Sequence, residues 1–67
     1  MLREETLKQE IMNNFEELAI RFEQRGTTYL ASACRTYAYW VLSGEWDAGQ
    51  ALTPLFNMQA VAEQFFP

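Results

Sequence analysis

Leu7, Ile11, Phe15, Leu18 and Phe22 recur at spacings of four, four, three and four residues, and neither Gly nor Pro interrupts them. That rhythm returns to one side of an α-helix and to no face of a strand, so it predicts an amphipathic helix with a core-facing stripe. Met12 and Ala19 widen the stripe, and good helix formers fill the other positions. Glu4 and Glu5 suit the positive end of the helix dipole, and Gly26 is placed to end the helix in a left-handed conformation. Helix 1 is therefore expected over about residues 3–25.

The next stretch is apolar on more than one side. Leu30, Cys34, Tyr37, Ala38 and Val41 form one stripe. Tyr29, Ala33 and Trp40 form a second, displaced by about a third of a turn or more at 100° per residue. Tyr39 and Ser32 lie on the remaining side. One stripe suffices to dock a helix on a core, so a second must be covered by an identical chain or by another protein. Thr27 or Thr28 can cap this helix, and Ser43-Gly44 can end it. Helix 2 is expected over about residues 28–43, packed against helix 1 as an antiparallel hairpin.

Asp47 followed by Gln50 has the spacing of a capping box. Gly49 and Thr53-Pro54 argue against one continuous helix beyond it, because Pro favours a first helical turn and restricts its predecessor. Two short helices are expected instead, at about 46–52 and 57–65. Asn57 would cap the second, which carries Val61, Ala62, Phe65 and Phe66. The expected fold is all-α: a helical hairpin followed by two short helices, in a single small helical domain over residues 1–67.

A domain of 67 residues buries only about 60% of the surface its unfolded chain exposes, and such scaffolds need reinforcement. Cys34 is the only cysteine and histidine is absent, which excludes an internal disulfide and leaves no basis for a zinc site. Dense aromatic packing and association between chains remain, in keeping with 49% hydrophobic and 15% aromatic residues. A homodimer is expected, with Leu7, Ile11, Phe15, Leu18 and Phe22 as dimerisation residues and part of that stripe serving helix 2.

The net charge is −4, and no basic residue follows Arg35. This is a poor footprint for direct nucleic-acid binding, which depends on Lys and Arg meeting phosphates. An acidic surface suits a basic protein partner better. Residues Met1 to Glu10 carry both charge signs and no apolar run, unlike a signal peptide. The stretch from Gly26 to Gly44 is broken by Arg35 and several hydroxyls, unlike a membrane span. A free thiol without a leader points to the cytoplasm.

Chemistry is nearly absent from the sequence. Catalysis needs a nucleophile beside a base or a pair of acid and base groups. Cys34 lies on the apolar stripe of helix 2, and neighbours in sequence such as Arg35 do not face it on a helix. It reads as a structural residue. No enzymatic activity, catalytic residue, metal, cofactor or small-molecule substrate is expected. Tyr39, Trp40 and Trp46 are the candidate partner-binding residues, because Trp and Tyr dominate interface hot spots. Ile20 joins them as an apolar residue on the polar side of helix 1. Trp46 reads equally well as a plug folded onto the end of the hairpin.

The pattern Glu-Leu-Ala-x-Arg-Phe-Glu-x-x-Gly at residues 17–26 is followed by Tyr-Leu-Ala-x-x-Cys-Arg-x-Tyr at 29–37, then by Tyr39-Trp40-x-Leu-Ser-Gly-x-Trp through Trp46. This run resembles the ANR family, the AraC negative regulators of enteric pathogens. The resemblance implies a negative regulator of transcription that binds a virulence activator of the AraC/XylS type and blocks its dimerisation or DNA binding. It implies the nucleoid protein H-NS as a further partner, and neither catalysis nor a cofactor. A weaker likeness to small PerC-type transcription activators sits poorly with the acid excess. A small inhibitor or antitoxin-like protein that binds an unrelated enzyme would need a similar acidic, apolar surface.

Overall fold

The computed structural model describes residues 2–65, which form three helices: α1 (Leu2–Gln24), α2 (Thr28–Ser43) and α3 (Ala48–Phe65). Among the described residues the structure is all-helical. Helices α1 and α2 form the expected hairpin, and α3 packs along it, mainly on α1. Two contacts show that α3 runs parallel to α1. Glu4 Oε2 near the start of α1 accepts from the Ala48 N–H at 3.4 Å, and at the other end the rings of Phe22 and Phe65 meet edge to face with centroids 6.1 Å apart.

The turn after α1 follows from Gly26. Its φ of +82° is the left-handed conformation that costs glycine no side-chain clash. The Gly26 N–H donates to Glu23 O at 3.0 Å and the Thr27 N–H to Phe22 O at 3.0 Å, the paired bonds of a Schellman cap. Thr27 occupies the N-cap position of α2, but its hydroxyl makes no capping bond there. It donates to Phe22 O at 2.8 Å, serving the end of α1 instead. Gly44, at φ +87°, ends α2 in the same left-handed conformation.

Asp47 and Gln50 form the reciprocal capping box that their spacing predicts. Gln50 N–H donates to Asp47 Oδ1 at 2.8 Å, and Asp47 N–H donates to Gln50 Oε1 at 3.0 Å. The helix that starts there does not stop at Pro54. One helix replaces the two short ones expected at 46–52 and 57–65, and Asn57 lies within it rather than capping a new start. Pro54 has no N–H for the Gln50 carbonyl, a defect that disfavours helix locally. Burial of Ala51, Leu55 and Ala62 along one face of α3 outweighs it, as tertiary packing commonly does for an amphipathic helix. Phe66, expected at the end of the last helix, lies outside the described residues.

The core is built on α1. Ile11, Phe15, Leu18, Ala19 and Phe22 are buried, and they meet Ala31, Cys34, Ala38 and Val41 of α2 and Ala51, Leu55 and Ala62 of α3. Phe15 and Phe22 are fully enclosed, each contributing about 1.5–3 kcal/mol of burial. Alanines make up much of the facing surface of α2 and α3, which lets those helices approach the two phenylalanines closely. The stripe expected to pair two chains is thus mostly used within one. Ile11, Phe15, Leu18 and Phe22 are interior, and of the five residues assigned to dimerisation only Leu7 stays exposed, at 39%.

Candidate protein-interaction site

The four residues read from sequence as partner contacts fall on two separate surfaces. Trp40 and Trp46 lie together. The Trp46 N–H donates to the Trp40 carbonyl at 3.1 Å, and the Ser43 hydroxyl donates to the same carbonyl at 3.3 Å. These bonds fold the segment after Gly44 back on the last turn of α2. The two indoles are at 79° with centroids 5.0 Å apart, and Tyr37 lies 5.7 Å from Trp40 and 5.1 Å from Trp46. Tyr37 in turn meets buried Phe15 edge to face at 5.6 Å, which anchors the cluster to the core. All three rings are half-buried. They form one wall of a cleft of about 350 Å³, whose other wall is Pro54, Asn57 and Met58 of α3.

The structure places Trp46 at the end of the hairpin against Tyr37 and Trp40, as the plug reading expects, and leaves one side of its ring on a cleft. The spacing of Tyr37 places it on the core stripe of α2. Its second role, as the floor of the aromatic cluster, had no separate signal in the sequence.

Tyr39 points elsewhere. It is 62% exposed and Leu42, one turn on, is 69% exposed. They border a shallow cleft of about 190 Å³ with Arg35 of α2 and Met12 and Glu16 of α1. Arg35 crosses to α1 with a two-pronged ion pair, Nη1 to Glu23 Oε2 at 2.7 Å and Nη2 to Glu23 Oε1 at 2.9 Å. The Arg35 guanidinium holds the Glu23 carboxyl below its ordinary value, and Glu23 raises Arg35 in return. Ile20, 50% exposed, follows Glu16 by four residues and precedes Glu23 by three, so it shares their side of α1. Ile20, Tyr39 and Leu42 thus lie on the side of the hairpin that α3 leaves open, since α3 borders the other side of α1 beside Asn14, Leu18 and Arg21. Leu42 does carry a sequence signal, its i+3 spacing from Tyr39, which puts the two on one side of α2.

Cys34 is buried, and burial pushes its thiol up to about 11, with Arg35 opposing weakly. So raised, it is almost wholly protonated at neutral pH and a poor nucleophile. Among the described residues no group of three His, Cys, Asp or Glu side chains could hold a metal ion. No helix there is long and apolar enough to cross a membrane. Comparison of the chain with family models, with curated proteins and with solved structures finds no match.

Proposed function

We propose that this chain is a negative regulator of transcription that acts by protein–protein interaction, binding an AraC/XylS-type activator and blocking its dimerisation or DNA binding. The observation that carries this reading is the open side of the hairpin. Tyr39 and Leu42 are exposed along a shallow cleft with Arg35 that no residue of α3 lines, and exposed Ile20 shares the Glu16–Glu23 side of α1. A domain with so small a core gains nothing in stability from apolar groups left in water, and clustered ones mark contact surfaces. A rigid two-helix face fits a partly apolar helical surface of the sort a dimerising activator presents. The resemblance of residues 17–46 to the ANR family names the class of partner, with H-NS as a second and the cytoplasm as the compartment.

Self-association belongs to the same proposal. With the rest of the α1 stripe enclosed, Leu7 and the Ile20–Tyr39–Leu42 side are proposed for it, although Tyr29 and Phe56 are exposed as well. The activator and the second copy then compete for one face.

The test is a promoter gel shift with a purified AraC/XylS-type activator. Adding this protein is expected to dissolve the activator–DNA complex, and the Tyr39→Ala and Leu42→Ser variants are expected to lose that effect while keeping their helicity. An undisturbed complex at high excess would reject the reading, and inhibition of an unrelated enzyme would take its place. A shift of promoter DNA by this protein alone would favour the PerC-like alternative.

A further inference from the structure

The geometry points to the cleft between Trp40, Trp46 and Pro54 as a receptor for an arginine side chain presented by a basic segment of a partner protein. This deepens the reading of the chain as an interaction module, but it uses a different surface from the Ile20–Tyr39–Leu42 face and does not depend on which partner sits there.

Three observations converge on it. The first is the aromatic wall. Tyr37, Trp40 and Trp46 cluster with centroids 5.0–5.7 Å apart, and each stays half-exposed. A cation over such faces is attracted by the ring quadrupole, most strongly over Trp. The second is charge. Trp46 stands between Glu45 and Asp47, both exposed, and the chain after Arg35 holds acidic residues and no basic one. The cleft lining carries no charged residue, so a cation entering it meets no fixed positive charge there, and the two carboxylates flank its Trp46 wall in sequence. The third is shape. The cleft of about 350 Å³ is closed on the α3 side by Pro54 and Met58, with the amide of Asn57 at its edge. A flat guanidinium can stack on an indole in a cleft that also holds an amide acceptor, Asn57, a combination that suits a compact ammonium less well.

The half-exposed aromatics also require an explanation that the fold alone does not supply. Tyr37 already anchors the end of the hairpin on Phe15, so a single apolar residue at position 46 would suffice as a plug. A backbone bond from the Trp46 N–H to the Trp40 carbonyl and the edge-to-face contact of the two indoles hold this wall together, which costs little ordering when a ligand arrives.

The experiment follows the Trp indole N–H resonances of the isotope-labelled protein during titration with two twelve-residue peptides, one with alternating Gly and Arg and one with alternating Gly and Gln. The expected result is a saturable shift of both indole signals with the Arg peptide only, weakened by salt. Replacing Arg by Lys is expected to weaken binding, and Trp46→Leu, which keeps an apolar plug, to weaken it roughly fivefold. The double variant Glu45→Gln/Asp47→Asn, which keeps the capping oxygen, is expected to weaken it without changing the melting temperature by more than a few degrees. Equal shifts with the Gln peptide, or none with either, would overturn the proposal. So would indole shifts on simple concentration of the protein, which would assign the cleft to a second copy. An activator that ignores the protein while the Arg peptide still binds would remove the anti-activator reading and leave this site standing.

Discussion

The Trp46 backbone N–H donates to the Trp40 carbonyl at 3.1 Å, and the same two residues meet edge to face through their indoles at 5.0 Å. One residue pair thus ends α2, starts the approach to α3 and builds the wall of a cleft. A change at either residue therefore alters both the packing at the end of α2 and the wall of the cleft, whereas Tyr39 lines no part of that cleft.

Trp46→Ala and Tyr39→Ala should therefore behave differently. The first removes a half-buried ring from contact with two others, at an expected cost of about 2–3 kcal/mol, less than the 3–5 typical of a fully buried Trp. The second removes an exposed ring and should stay within about 0.5 kcal/mol of the parent. For a domain of this size the melting temperature moves about 4–8 °C per kcal/mol, so circular dichroism melts resolve the two. A Tyr39→Ala melt as low as that of Trp46→Ala would mean that the open side of the hairpin is not open.

Gly26→Ala is expected to cost about 1–2 kcal/mol from backbone strain alone. A Cβ at Gly26 would meet nothing within 4 Å, yet φ is +82°. Space is available and conformation is not. Chemical denaturation should show a lower midpoint with an unchanged slope. An unaffected midpoint would indicate that the Schellman turn relaxes on substitution.

The spacing of α1, the left-handed ends at Gly26 and Gly44, and the Asp47–Gln50 box were legible because each depends on a few residues close in sequence. Pro54 misled because its penalty is local whereas the gain from Ala51, Leu55 and Ala62 depends on where α1 lies. The same limit applies to the site. Trp40 and Tyr39 are adjacent in sequence but about 100° apart on a helix, and only the position of α3 decides that one lines a cleft and the other faces outward. The α1 stripe reads from sequence as shared between α2 and a second chain because so small a domain needs reinforcement, and the claim of α3 on it depends on that helix running unbroken through Pro54.

Two ionisable groups give opposite pH signatures. Cys34 is raised from an ordinary 9.0 to about 11 by burial, so the folded chain holds a neutral thiol where the unfolded chain ionises. Its contribution is complete below pH 9 and is lost as pH rises toward 11. The difference in stability between the parent and Cys34→Ala should shrink across that window, and the native thiol should react with a disulfide reagent far more slowly than the denatured one. Glu23, lowered chiefly by its hydrogen bond from Arg35, contributes above the ordinary carboxylate value and loses that as pH falls through the lowered one. The pair is exposed, so the effect should be small and fade with salt. A Glu23→Gln variant with an identical acid melt would show that the pair adds nothing measurable.

Pro54→Ala separates the fold from the cleft. In a helix interior, proline is about 3 kcal/mol less favourable than alanine, because it lacks the N–H and its ring crowds the carbonyl one turn earlier. Part of that is offset here, since the Pro54 ring is half-buried and forms the cleft wall facing Trp40 and Trp46. The expected net result is a gain of about 1 kcal/mol, or a melting temperature higher by about 4–8 °C. The same change removes one side of the slot for a guanidinium, so the Arg peptide should bind more weakly to the more stable protein. A variant that melts higher and binds less tightly would show that the proline is kept for the cleft and against the helix. A lower melting temperature would mean that its packing on the aromatic cluster outweighs the missing hydrogen bond, and the cluster would then belong to the core.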